Sequence, residues 1–218
     1  MSDLRIKTCV LGDISTNCYL VYRDSTKEAF IVDPADNSQY ILTICRELDL
    51  KPRAILLTHG HFDHVMAVED LKRSLRLPVY ACDAERELMK NSQLNLSDAM
   101  GSCPVSIQAD EYVKDGDVIE QAGFAIKVIH TPGHTVGSVS YYLSEFKVLF
   151  SGDTLFANSH GRVDMPTSSY DDIEKSILGR LFLLPEDVMV YPGHGGPTTI
   201  GHEKEHNLIV VSPMRRRV

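Results

Sequence analysis

Four side chains able to ligate a transition metal fall within six consecutive positions of Thr58-His59-Gly60-His61-Phe62-Asp63-His64. Side chains alternate along extended chain, so His59 and His61 project to one side and both imidazoles can reach one ion. Asp63 and His64 come after the chain has turned and can address a second ion beside the first. Gly60 removes a side chain where the crowded backbone must bend. Three further positions share this character, each a strand end followed by a glycine-containing turn: His134 in Thr131-Pro132-Gly133-His134-Thr135, Asp153 in Ser151-Gly152-Asp153-Thr154, and His194 in Tyr191-Pro192-Gly193-His194. Singly each is weak, because a histidine at a turn is more often structural and Ser151-Gly152-Asp153-Thr154 could be an ordinary Asx turn. Beside the first cluster they complete a set of five histidines and two aspartates.

Imidazole and carboxylate ligands without thiolates suit Zn²⁺ first, with Fe²⁺ or Mn²⁺ as alternatives, whereas a structural zinc more often sits in a closed shell that includes cysteines. Two ions roughly 3.5 to 4 Å apart can share a water and lower its pKa from roughly 15.7 towards about 7. The resulting hydroxide would attack a carbonyl polarised by one ion, which would also stabilise the oxyanion. A thiolate leaving group needs little acid assistance, since the thiol pKa is about 8.5. Asp63 is read here as catalytic as well as metal-ligating.

The elements that must position these residues can be read from periodicity. Residues 5–11, 17–22 and 29–32 are rich in β-branched and aromatic side chains and are separated by Gly12-Asp13 and Asp24-Ser25, which predicts a β-meander. Residues 38–48 space Ile41, Leu42, Cys45 and Leu48 as a helix, with Asn37 or Ser38 as its N-cap. The apolar run 54–57 stops at Thr58, putting the polar cluster at the carboxyl end of a buried strand. A helix over 65–75, a strand over 79–81 and a helix over 84–90 follow. Residues 91–116 show weak periodicity and read as a surface excursion. The second half repeats the scheme, with strands at 124–129, 138–143 and 147–150. A helix over 170–184 turns Ile173, Ile177, Leu178 and Leu181 inward, and 188–191 is the last strand. Two strand-rich halves with covering helices predict an α/β fold of four layers, two facing sheets with helices outside.

Composition fits that scheme. With 218 residues, 43% of them hydrophobic and 24% charged, the chain is expected to form one enzyme-sized domain over 1–218. Lys plus Arg number 22 against 30 Asp plus Glu, a net charge of −8 that works against gripping nucleic acid. No signal peptide or membrane-length apolar run is seen, so a cytoplasmic location with no membrane partner is expected. Cys9, Cys18, Cys45, Cys82 and Cys103 are scattered without a C-x-x-C pair and read as reduced thiols. The basic run Arg215-Arg216-Arg217 reads as a solvated terminus.

The ordered series His-x-His-x-Asp-His at 59–64, then His134, Asp153 and His194, resembles the metallo-β-lactamase superfamily over most of the chain. That resemblance implies a four-layer sandwich of two facing mixed β-sheets. It also implies that His59, His61 and His134 hold one metal, that Asp63, His64 and His194 hold the other, and that Asp153 bridges them. Asp33, in Ile31-Val32-Asp33-Pro34, would lie beside the metal loops without being a ligand. The wording of the His134, Asp153 and His194 motifs looks most like the glyoxalase II branch, which hydrolyses hydroxyacylglutathione thioesters. The expected substrate is therefore a small acyl thioester. Departures from that branch concern glutathione. About two dozen residues follow His194, where the branch carries a carboxyl-terminal helical glutathione-binding domain, so that domain is expected to be missing. Asp164 and Gly196 stand where it has substrate-contacting tyrosines. Arg162 remains as a contact for a substrate carboxylate. The runner-up is a persulfide dioxygenase, which uses a single iron held by two histidines and an aspartate. A lactone, ester or phosphodiester hydrolase of the same superfamily ranks below it.

Overall fold

A computed structural model describes residues 3–212, so the Arg215-Arg216-Arg217 run lies outside the described residues. Strands β1 (Leu4–Leu11), β2 (Thr16–Arg23) and β3 (Glu28–Val32) form the antiparallel meander, with Cys9 opposite Cys18 and Tyr19 opposite Val32. Helix α1 (Ser38–Glu47) is capped by Asn37, whose side chain accepts the Tyr40 N–H at 3.1 Å. Strands β4 (Lys51–Leu56), β5 (Val79–Cys82) and β6 (Glu111–Val113) then add in parallel, so this six-stranded sheet follows chain order. Helices α2 (Phe62–Val65), α3 (Val68–Leu75) and α4 (Arg86–Lys90) lie along these connections.

The second sheet comprises β7 (Val118–Gln121), β8 (Phe124–His130), β9 (Val139–Leu143), β10 (Val148–Gly152), β11 (Met189–Pro192) and β12 (Thr198–Thr199), in the order β12-β11-β10-β9-β8-β7. Its neighbours are antiparallel except for β10 and β11, which run parallel across α5 (Tyr170–Gly179). Helices α6 (Ile200–His206) and α7 (Leu208–Val211) follow β12.

Alternation along the strands builds the layers. Tyr19, Val21, Phe30, Val32 and Leu56 of the first sheet share one core with Phe124, Ile126, Val128, Tyr141 and Phe150 of the second, so the two sheets face each other. The intervening residues turn the other way. Cys18, Leu20, Ile31 and Ile55 pack with Ile41 of α1 and Leu71 of α3, while Ile129, Tyr142 and Leu149 pack with Ile173 and Ile177 of α5. This is the helix-sheet-sheet-helix sandwich expected from the sequence.

Several boundaries differ from the reading of periodicity. The helix expected over 65–75 is two pieces, because the chain already turns at Phe62 and then breaks so that the Ala67 N–H can reach Pro34 O at 3.0 Å. The helix expected to run to Leu184 stops at Gly179. Leu178 is 41% exposed rather than inward, since Ile173, Ile177 and Leu181 already fill the contact with the sheet. Strand β12 follows β11, so 188–191 is not the last strand. The excursion over 91–116 is anchored rather than superficial: Asn95 is fully buried and donates to Met89 O and Val105 O, and Ile107 and Ala109 join the first-sheet core. Its residues 111–113 form the short strand β6, and around Asn95 side-chain-to-backbone bonds replace regular structure, which hides the segment from a periodicity test. The five cysteines are free thiols, with only Cys103 exposed. No described helix is long and apolar enough to cross a membrane.

Candidate metal centre

The seven expected ligands converge at the carboxyl ends of β4, β10 and β11 and in the loop joining β8 to β9. His61 is still extended (φ −64°, ψ 147°) and α2 begins at the next residue, so the chain turns before Asp63 and His64, and the His64 ring comes to 4.1 Å from the His59 ring. Ligand atoms of His59, His61 and His134 lie within 4.8 Å of one another, as do those of Asp63, His64 and His194. His59, His64 and Asp153 form a third such group. Asp153 stands between the first two: its Oδ1 is 3.4 Å from His64 Nε2, and its Oδ2 is 3.5 Å from both His134 Nε2 and His194 Nε2.

Several contacts hold the loops in register. Val139 N–H donates to Thr58 O at 2.8 Å and Tyr141 Oη–H to Leu57 O at 2.8 Å, which joins the His134 loop to the end of β4. Asn17 Nδ2 donates to Pro192 O and Gly195 O, and Tyr19 Oη–H to Pro192 O, which pins the His194 loop onto β2. Gly193 is required by space, because a Cβ there would stand 2.0 Å from Asp153 Oδ1 and 2.8 Å from His64 Cε1.

These residues fit divalent ions by their hydrogen bonding. His59 Nδ1–H donates to Thr58 Oγ1 at 3.2 Å, His64 Nδ1–H to Asp33 Oδ2 at 3.0 Å, and His134 Nδ1–H to Arg162 O at 2.9 Å. That leaves the opposite nitrogens of the His59 and His134 rings as lone pairs, and Nε2 of His64 able to ligate once its proton is displaced. Nε2 of His59, His61 and His64 and Oδ1 of Asp153 are buried and have no hydrogen-bond partner. His61 Nδ1 and His134 Nε2 face each other at 2.9 Å. Buried polar atoms are rarely left unsatisfied, and an ion at each group would satisfy these together.

Asp33 braces the arrangement. It is 2% exposed, adopts φ 48°, and accepts from Thr58 N–H at 2.8 Å, Thr58 Oγ1–H at 2.6 Å and His64 Nδ1–H. A chain of bonds therefore runs from His59 through Thr58 and Asp33 to His64. Thr16 Oγ1–H similarly donates to Asp63 Oδ2 at 2.7 Å. Sequence reading did not find Thr16 or the anchoring role of Thr58, since neither has a distinctive spacing.

Electrostatics divide the cluster in two. Burial, reinforced by neighbouring histidines, pushes His59 far below the ordinary imidazole range and His61 down to about 3, and burial lowers His134 as well. Those three rings are neutral and ready to ligate. Burial also opposes a charge on His64 and on His194. For His64, Asp63, Asp153 and Asp33 overcome it, and for His194, Asp63 and Asp153 do, so both are raised. Burial likewise works against ionising Asp63 and Asp153, but His64 foremost, with other histidines, holds both carboxyls below their usual range.

A cavity of ≈ 170 Å³ opens above the centre. His61, Asp63, His134, Asp153 and His194 line it, Ile14, Phe62, Leu96, Met100, Phe156 and Met165 form apolar walls, and among the described residues Arg162 is the one cationic lining residue outside the cluster. The Arg162 guanidinium is already engaged, with Nε and Nη2 each donating to Asp164 at 2.9 Å, and both side chains are 66% exposed.

Comparisons with known proteins agree with this geometry. The family model described as the metallo-beta-lactamase superfamily matches residues 11–194. The chain is 33% identical over 193 residues to hydroxyacylglutathione hydrolase GloC of Haemophilus influenzae, covering 88% of this chain and 91% of that protein. Among solved structures it is similar to the BLEG-1 B3 metallo-beta-lactamase, with 39% identity, a TM-score of 0.90, and coverage of 95% of this chain and 100% of that one. It is also similar to TTHA1623 in a di-iron-bound form, with 37% identity, a TM-score of 0.83, and coverage of 92% and 98%. The matched region takes in strands of both sheets and contains every residue of the His/Asp cluster; the chain belongs to the metallo-beta-lactamase superfamily of metal-dependent hydrolases.

Proposed function

We propose that this chain hydrolyses small acyl thioesters with two divalent metal ions, Zn²⁺ first, with Fe²⁺ or Mn²⁺ as alternatives. His59, His61 and His134 would hold one ion, Asp63, His64 and His194 the other, and Asp153 would bridge them. Ions so held supply acidified water and polarisation of the substrate carbonyl. The protein's own groups do the rest: Asp33 and Thr58 fix the ring orientations of His64 and His59, and the Arg162 carbonyl fixes that of His134. Asp63, which lines the cavity, would be the catalytic carboxylate, staying ionised and accepting a hydrogen bond from the attacking water.

The observation that carries the choice of thioester is the cavity lining. Beyond the ligand cluster it offers apolar walls and Arg162, and among the described residues no lysine, tyrosine or serine lines it to protonate a departing group. A thiolate, whose conjugate thiol has a pKa of about 8.5, leaves without such help, whereas an amine expelled from an amide or lactam needs a proton. A panel of lactoylglutathione, shorter acyl thioesters, an oxygen ester, a β-lactam and a glutathione persulfide tests this. Thioester hydrolysis should dominate. Oxygen consumption with the persulfide, supported by a single iron, would instead establish the dioxygenase reading.

Capture of the glutathione portion should be weak. Arg162 is exposed and already paired, so Arg162→Ala is expected to raise KM for lactoylglutathione by less than about tenfold and to leave kcat nearly unchanged. The His134 contact survives because it uses the backbone carbonyl. A micromolar KM that collapses in this variant would show a dedicated glutathione site.

Metal loading should depend on pH differently at the two groups. His64 is raised and carries a proton in the metal-free protein near neutrality, so an ion entering beside Asp63 and His194 must displace that proton. The three-histidine group is neutral and releases none. Lowering the pH from 8 to 6 should therefore empty the Asp63/His64/His194 group first, by about tenfold in affinity per pH unit for each proton displaced. Calorimetric titration in buffers of different ionisation enthalpy checks it. Equal proton release by both equivalents would contradict the division.

A further inference from the structure

Glu85 takes no part in the chemistry above, yet it is fully buried between the loops that carry His59, His61 and His134. It belongs to the 3-10 turn Asp83–Glu85 that directly follows β5. Strands β4 and β5 run parallel, with Ile55 beside Val79 and Leu56 beside Tyr80, so both chains leave the sheet at the same edge. Glu85 Oε2 accepts the N–H of Gly60, the residue between His59 and His61, at 2.9 Å. Its Oε1 accepts the N–H of Gly137 at 2.7 Å, in the loop that returns from His134 to β9. One side chain thus ties a loop of the first sheet to a loop of the second.

The two glycines are an independent sign that this contact is built in. A Cβ on Gly60 would stand 2.5 Å from Met89 Cγ and 2.8 Å from Leu88 Cδ2, and one on Gly137 would stand 2.5 Å from Glu85 N and 2.7 Å from Glu85 Cγ. Both loops come close enough to donate only because neither carries a side chain there. Among the described residues Glu85 forms no ion pair, so its burial is offset by these hydrogen bonds. Each of them ends on a loop bearing a histidine of the same group. Gly60 sits between His59 and His61, just ahead of α2 with Asp63 and His64, and no Glu85 hydrogen bond reaches the His194 loop.

We propose that Glu85 is a positioning residue that sets the spacing of His59 and His61 against His134, and so tunes the affinity of that group alone for its ion. This rests on the ligand roles proposed above. Glu85→Gln keeps the shape but offers one acceptor oxygen to two N–H donors, so one loop loses its tether; Glu85→Ala frees both.

Co²⁺ titrations of the metal-free protein, followed by visible absorption, test this in two backgrounds. In His194→Ala, which leaves the three-histidine group intact, Glu85→Gln should weaken Co²⁺ by about 10- to 100-fold and shift the absorption band. In His134→Ala, the same change should alter Co²⁺ affinity by less than about threefold. Equal weakening in both backgrounds would mean a general structural role and would overturn the proposal, as would no weakening in either. If Glu85→Ala does not fold, Glu85→Gln alone decides. A wild-type chain that binds two ions beside an unaffected Glu85→Gln refutes only the role of Glu85, whereas a wild-type chain that binds none refutes the ligand roles as well.

Discussion

Asp153→Ala is expected to lower thioester turnover by about three orders of magnitude or more, a loss of about 4 kcal/mol of transition-state stabilisation, and to leave the protein short of metal. Among the described residues its carboxylate is the one group whose two oxygens approach histidines of both ligand groups, at 3.4 Å from His64 and 3.5 Å from His134 and His194. Removing it takes a ligand from each ion and leaves His64 with one fewer of the anions that hold its charge. Asp153→Asn separates the two effects, since the amide keeps the volume and one carbonyl oxygen but not the bridging charge. Metal content and kcat should fall together in both variants, further in Asp153→Ala. Full turnover by Asp153→Ala at normal metal content would remove the bridging role.

Stripping the metal with a chelator should abolish turnover and also lower the melting temperature by roughly 15 °C or more. An ion present at a thousand times its Kd stabilises the folded chain by about 4.1 kcal/mol, so two contribute about 8. Each kcal/mol moves the midpoint of a chain this size by about 2 to 4 °C. The structure gives a reason for so strong a coupling, because four buried polar atoms of the cluster have no hydrogen-bond partner within the protein. Differential scanning calorimetry of holo and metal-free protein, with Zn²⁺ returned afterwards, provides the check. A metal-free protein that melts unchanged and still turns over would rule out metal-dependent catalysis at this centre.

Much of this was legible in the sequence, for physical reasons that differ between parts. The cluster at His59–His64 stands out because ligand spacing is local: two histidines at i and i+2 on extended chain, then a turn. The facing sheets were expected from two strand-rich halves with covering helices, and in the structure neighbours such as Tyr19 and Leu20 divide between two cores. The residues that escaped notice act at a distance. Thr16 reaches Asp63 across 47 positions and Glu85 reaches Gly137 across 52, and neither has a periodicity or a motif of its own. Asn95 likewise anchors a segment that looks irregular, through bonds to backbone carbonyls and by accepting the Phe62 N–H at its own carbonyl. Leu178 misled for the opposite reason. It has helical spacing, but α5 offers only a narrow stripe to the sheet.

Thioester turnover measured as divalent metal is added back in steps to the metal-free protein tests the proposed centre most directly, because it joins the two ligand groups of His59, His61, His134 and Asp63, His64, His194 to the reaction. Turnover should climb until two equivalents are bound per chain and then stay level. Full turnover with one equivalent, or the absence of thioester hydrolysis at saturation, would contradict a two-metal thioesterase.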